Sequence, residues 1–190
     1  MESRFELTPI LDRIASEHVA PAGGSAAAAV GAIGASLAEM AAIHTLQSGE
    51  TDHEAQLAAA NRSLNADRSL LAGLMDADAR VVESAFGSFS SELDVRRRKQ
   101  LVGVPLAIAE VCLDVLSESK DLVSIATRSV TQDLRTAITL VTAAVKASLE
   151  TAEHNLDLLE GPAGDRLADR VGDAAEWATV LTDSSQGSGK

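Results

Sequence analysis

From Val19 to Ala38 the chain runs for twenty residues without a charged side chain, and most of them are Ala, Gly or Ser. That length matches a bilayer span, but side chains this small gain little from lipid, where Leu, Ile and Phe drive insertion. The segment suits a buried helix of a water-soluble protein, because the lack of bulk lets neighbouring backbones approach closely. Ala26 to Ala42 is therefore the expected close-packing helix, within one subunit or between two. Composition extends this reading to the rest of the chain. Of 190 residues 34 are Ala, aromatics make up 2%, and Tyr is absent. Helix formers dominate, and the aromatic and β-branched mix that favours strands is weak. The expectation is an all-α protein: a multi-helix up-and-down bundle in one domain over residues 1–183, followed by a disordered tail over 184–190.

Charge narrows the classes of partner. The 28 acidic residues against 16 basic ones leave a formal charge of -12, which repels phosphate and disfavours nucleic acid and anionic membrane as partners. A single cysteine excludes a disulfide framework and a zinc cluster, and Cys112 falls in an apolar helical pattern that reads as a core thiol. His18, His44, His53 and His154 show no metal-ligand spacing, so no metal is expected. The N-terminus, Met1-Glu2-Ser3-Arg4-Phe5-Glu6, lacks the basic-then-apolar pattern of a secretory signal, and a cytoplasmic location is expected.

Periodicity and stop signals divide the chain into helices. Thr8 and Pro9 open a first helix that should end near His18. The loop Ala20-Pro21-Ala22-Gly23-Gly24-Ser25 follows, with two glycines that permit unusual backbone shapes and Ser25 as the expected cap of a helix from Ala26 to about Gln47. A third helix spans roughly Glu54 to Phe86, until Gly87-Ser88-Phe89-Ser90-Ser91 interrupts it. The basic run Arg96-Arg97-Arg98-Lys99 leads into the next, where Pro105 predicts a fresh start or a kink. Residues 117–128 read as a connection, and Ser129 with Gln132 resembles a capping box for a long helix that Gly161-Pro162 terminates. Leu167, Val171, Ala174, Ala178 and Leu181 mark the last helix.

One carboxylate stands out within these helices. On a wheel of about 100° per residue, Leu71, Leu74, Met75, Val81, Val82 and Ala85 all lie within about 60° of Asp78. A carboxylate placed in an apolar face has its charged form disfavoured, and such a group can both take and give a proton. Hydrogen bonding to a neighbouring helix is the structural alternative for Asp78. Asp67 shares the stripe and competes for the role, whereas Asp76 falls on the opposite face beside Arg80 and Glu83 and reads as solvated. Asp133 lies in the first turn of its helix, where the helix dipole alone accounts for a carboxylate. Gly23, Gly24 and Ser25 precede a helix whose unpaired N–H groups could meet an anion or a carbonyl, but no P-loop lysine or preceding strand supports nucleotide binding. No serine sits in a nucleophile elbow.

Taken together, Ala20-Pro21-Ala22-Gly23-Gly24-Ser25 before an Ala/Gly helix, Met75-Asp76-Ala77-Asp78-Ala79-Arg80, and Val104-Pro105-Leu106-Ala107-Ile108-Ala109-Glu110 resemble the formiminotransferase-cyclodeaminase C-terminal domain family. Asp133 and Asn155-Leu156 agree with it in order and spacing. The resemblance implies an all-helical homodimer without metal and a folate site formed by the glycine loop and neighbouring helices. It makes Asp78, the second aspartate of its block, the catalytic residue, and so selects the residue that the wheel selects. Gly23, Gly24, Ser25 and Asp133 are then expected to bind substrate, and Arg96 to Lys99 to reach its glutamate tail. Ala22 stands where the family loop has a glycine, so any positive φ needed there would be restricted.

The activity this implies is methenyltetrahydrofolate cyclohydrolase, with no cofactor beyond the tetrahydrofolate substrate. Formiminotetrahydrofolate cyclodeaminase is the alternative in the same family, and a non-catalytic folate-binding helical dimer the alternative outside enzymes. The absence of a formiminotransferase half from these residues tilts the expectation toward the cyclohydrolase.

Overall fold

The computed structural model describes residues 7–49, 51–87 and 93–183, and among them are six helices and no strand. They are α1 (Thr8–Ile14), α2 (Gly23–Ser48), α3 (Glu54–Phe86), α4 (Val95–Leu122), α5 (Thr131–Leu156) and α6 (Pro162–Asp183). Residues 88–91 of the expected break and the expected disordered tail lie outside the described residues.

The small-residue helix occupies the middle. α2 packs against α3, α4 and α5, and its buried positions are Ala, Gly, Ser and Thr throughout. A β-carbon added at Gly31 would come within 2.6 Å of Cys112 Sγ, and one at Gly34 would meet Val141 and stand 3.2 Å from the Ala137 carbonyl. The close packing expected of this helix is therefore found within the subunit. The larger core side chains come from its neighbours: Leu57, Leu64 and Leu71 of α3, Leu106, Ile108, Leu113 and Leu116 of α4, and Leu134 and Val141 of α5 are fully buried. Two helices, α2 and α4, are long and apolar enough to cross a membrane, with 44% and 56% of their most apolar windows buried inside the bundle.

Successive helices run up and down. The start of α2, the end of α3, the start of α4 and the end of α5 meet at one end of the bundle, where they line one cavity. At the other end the Thr127 N–H donates to Thr45 Oγ1 over 3.1 Å, tying the α4–α5 turn to the end of α2. α6 lies against α4 and α5, and α1 has no buried residue.

Several boundaries differ from the expected ones, each for a local reason. α1 stops at Ile14 rather than near His18, because the Ser16 hydroxyl donates to the Arg13 carbonyl (2.8 Å) and lies 2.9 Å from His18 Nδ1, offering the backbone a competing arrangement. α4 continues through Pro105 without a new start and through residues 117–122, since Ser119 and Leu122 extend its buried face. Its first residue is capped by Asp94, whose carboxylate accepts from the Arg97 N–H at 2.8 Å. α5 has Val130 at its N-cap with no side-chain cap, so the expected capping box is not formed; Ser129 Oγ instead lies 3.2 Å from Thr127 Oγ1. Gly49 closes α2 at φ 67, a left-handed backbone that glycine adopts without steric cost.

Candidate active site

Asp78 sits in the apolar face of α3 and is 4% exposed, while Asp76 is exposed. What holds a carboxylate there is the first turn of α2. The Ser25 hydroxyl donates to Asp78 Oδ2 at 2.7 Å, with the Met75 carbonyl 3.2 Å away. Because a hydroxyl has one proton, the short bond to the carboxylate commits it. Ser25 is thus not the expected helix cap: α2 begins three residues before the expected Ala26, at Gly23, with Ala22 at the N-cap.

The glycines act differently from expectation as well. Neither Gly23 nor Gly24 has a positive φ, and Ala22 is extended at φ -123, so no position of this loop requires glycine's special backbone. Gly24 is needed for space. A β-carbon there would collide with Asp78 Oδ1 and lie 2.7 Å from its Cγ. Gly23 is exposed with open space around it. The first backbone bond of the helix runs from the Ala26 N–H to the Ala22 carbonyl, so the N–H groups of Gly23, Gly24 and Ser25 have no partner within α2. The positive end of the α2 dipole therefore lies against the Asp78 carboxylate.

In front of Asp78 is a cavity of about 310 Å³. α2 contributes Ala22 to Gly24, and α3 contributes Val81, Val82 and Phe86 beside the aspartate. α4 adds Gln100, Leu101 and Pro105, and α5 adds Thr151 and Asn155. Asp78 is the one titratable side chain among these described lining residues, and none of them is cationic. Arg96 to Lys99 form the turn of α4 just before Gln100 and are not among the residues lining the cavity; Arg98 Nε donates to the Leu93 carbonyl at 2.7 Å.

The other sequence candidates go elsewhere. Asp133 is exposed in the first turn of α5. Thr151 is eighteen residues further along that helix, or about 27 Å at roughly 1.5 Å per residue, so within one chain Asp133 does not join Asp78. Asp67 lies eleven residues before Asp78 and faces α4. Burial, with the charges of Asp114 and Glu118 adding to it, raises its carboxyl above the usual range, and its Oδ2 is buried without a partner. Burial and the Asp67 charge push the Cys112 thiol up to about 12, which makes it the inert core group expected.

Gln100, Thr151 and Asn155 were not singled out for chemistry by periodicity. Asn155 follows the buried Ser148 and Ala152 at helical spacing, which marks its face of α5 as inward, but nothing in that spacing brings it to the cavity of Asp78. Only the packing of α5 on α4 does so.

A family model for Formiminotransferase-cyclodeaminase matches residues 6–166 of the chain. No curated protein matches it. Among solved structures, the crystal structure of formiminotetrahydrofolate cyclodeaminase from Thermotoga maritima superposes with a TM-score of 0.86 at 20% sequence identity, covering 94% of this chain and 92% of that one. At that identity the likeness concerns the fold, and the six-helix arrangement described above is shared over nearly its whole length. The family match extends from before α1 into the first turn of α6 and includes every residue lining the Asp78 cavity, and on this ground the chain belongs to the formiminotransferase-cyclodeaminase family.

Proposed function

We propose that the protein is a methenyltetrahydrofolate cyclohydrolase in which Asp78 moves the proton. The observation that carries this reading is a lone carboxylate, buried and held by Ser25, facing a cavity whose described lining offers no cation to neutralise it. The substrate of this reaction supplies one: the methenyl bridge between two nitrogens carries a permanent positive charge. Electrostatic attraction places that carbon against Asp78, in surroundings where apolar side chains keep the attraction strong.

The proton balance needs one group. Water attacks the methenyl carbon while the Asp78 carboxylate takes a proton from it, leaving a neutral tetrahedral adduct. Protonated Asp78 then returns that proton to the ring nitrogen as its bond to carbon breaks, and the adduct hydroxyl releases its own proton as the formyl C=O forms. The product is 10-formyltetrahydrofolate and one proton is liberated overall. Ser25 orients the carboxylate, and Arg96 to Lys99, in the turn of α4 before Gln100, are proposed to meet a glutamate tail. No cofactor enters this scheme, and the working unit is proposed to be a cytoplasmic homodimer.

Formiminotetrahydrofolate cyclodeaminase is the second reading, favoured by the name of the structurally similar Thermotoga maritima protein. The same carboxylate would there pass a proton to departing ammonia. Loss of methenyltetrahydrofolate absorbance, corrected for buffer hydrolysis, and ammonia release from formiminotetrahydrofolate should be measured side by side on wild type and Asp78→Asn. Faster methenyl turnover, reduced by about 10²- to 10⁴-fold in Asp78→Asn, is the expected result. Ammonia release as the faster activity would select the cyclodeaminase. Saturable binding with neither turnover would leave a folate-binding helical dimer, and light scattering reads the subunit number directly.

A further inference from the structure

Pro105 lies inside the continuous helix α4. Proline has no backbone N–H, so the carbonyl four residues earlier, that of Leu101, is denied its helical donor. A buried carbonyl without a partner is unfavourable, and a donor must come from elsewhere. It comes from α5: Asn155 Nδ2 donates to the Leu101 carbonyl at 2.7 Å. Since a carbonyl only accepts, the amide group facing it must be the NH2, and the orientation of the Asn155 side chain is settled by chemistry.

This arrangement stands at the candidate active site. Leu101, Pro105 and Asn155 all line the cavity that holds Asp78. With one N–H committed to Leu101, the half-buried Asn155 amide keeps its Oδ1 and its second N–H. An acceptor and a donor side by side, held rigid, match the edge of a cyclic amide, such as the pyrimidinone ring of a reduced pterin. Asp78 alone can hold a positive carbon but cannot tell how the rest of the molecule is turned; a second, directional contact from the α5 wall of the same cavity fixes that.

We propose that Asn155 binds the pterin edge of the substrate by hydrogen bonding, and that Pro105 is a positioning residue that presents Asn155 by leaving the Leu101 carbonyl free for it. This rests on the reading of Asp78 as the acid–base of a folate enzyme. It adds a contact on α5 for substrate orientation, with a proline on α4 acting through it.

Steady-state kinetics on methenyltetrahydrofolate test it with the full chain as wild type, Asn155→Ala, Pro105→Ala and the double variant. Loss of neutral hydrogen bonds is expected to raise KM by about 3- to 10-fold in Asn155→Ala, with a fall in kcat far smaller than that of Asp78→Asn because the acid–base group itself is untouched. Pro105→Ala restores an N–H that competes for the Leu101 carbonyl and should raise KM by a similar factor. The double variant should be no worse than Asn155→Ala, since both act through one linkage. p-Aminobenzoylglutamate, which lacks the pterin, should inhibit wild type and Asn155→Ala with the same inhibition constant; general damage to the site would weaken it in parallel with KM.

An unchanged KM in folded Asn155→Ala, or a parallel loss of inhibitor binding, overturns the proposal and leaves the cyclohydrolase standing. If Asn155→Ala does not fold, Pro105→Ala decides by the same KM criterion. Wild type that turns over neither folate substrate overturns both readings together.

Discussion

At Asp78 burial and partnership are arranged by two neighbouring residues of α2, and each makes a separate prediction. Gly24 is in van der Waals conflict with any side chain, because its missing β-carbon would stand 2.7 Å from Asp78 Cγ. Gly24→Ala should keep the helical circular dichroism of wild type and lose activity by about 10²-fold, the scale of a displaced catalytic group. Ser25 acts by donation rather than by bulk, through its 2.7 Å bond to Oδ2. Ser25→Ala should lower kcat/KM by roughly 10-fold or more, as for a lost bond to a charged group, while thermal unfolding shifts little. Equal activity in Ser25→Ala would mean that the carboxylate is held by the apolar walls alone. Of this site, Asp78 was legible from sequence because a polar residue in an apolar stripe is a local anomaly. The role of Gly24 was not, because the collision that requires glycine is between residues 54 positions apart.

At the scale of the helix, α2 shows how an apolar segment of membrane-spanning length becomes the axis of a bundle. Its small side chains allow three helices to approach it, and Gly31 marks the tightest contact with α4, through Cys112 Sγ at 2.6 Å from an added β-carbon. Cys112 is fully buried. Gly31→Ala should therefore destabilise the protein by roughly 1–3 kcal/mol, as overpacking does, read from urea denaturation. The gain in helix propensity of about 1 kcal/mol opposes this, and a stabilised variant would show that the Cys112 side chain yields. The continuity of α4 through Pro105 is the element that sequence rules describe least well. A proline inside a helical pattern forecasts a break, because the rule counts only the helix's own donors. Here the missing donor arrives from Asn155 on another helix.

At the scale of the whole molecule, the net charge of -12 has a local concentration between α3 and α4. Burial raises Asp67, Asp114 and Glu118 above their usual carboxyl ranges, with Asp114 and Glu118 adding to Asp67, Glu110 to Asp114, and Asp121 to Glu118. A carboxyl raised in the folded state binds its proton more tightly there than in the unfolded chain. It imposes no penalty below the unfolded value of 3.8 for aspartate, and stability is lost as pH rises through the folded value. Asp67→Asn should accordingly raise the Tm at pH 7 and leave a smaller fall, as pH rises from 3.8, than wild type shows by scanning calorimetry. Added salt should raise the wild-type Tm by screening this repulsion, and should raise that of Asp67→Asn less. A Tm lower in Asp67→Asn than in wild type would mean that the carboxylate has a favourable partner.

What the sequence determined by itself is whatever follows from neighbours along the chain. Helical period and the alanine excess were enough for an all-helical bundle with nearly correct limits for α2 and α3, whereas α5 ends at Leu156, before the expected stop at Gly161-Pro162. The period of one helix was enough to single out Asp78. Tertiary structure decided what depends on helices meeting: that Asp67 faces α4 and not the cavity, and that the Asn155 end of α5, not the Asp133 end, lines the cavity of Asp78. The physical reason is that periodicity gives the face on which a side chain lies, whereas the distance between faces is set by packing, and a site is made of such distances.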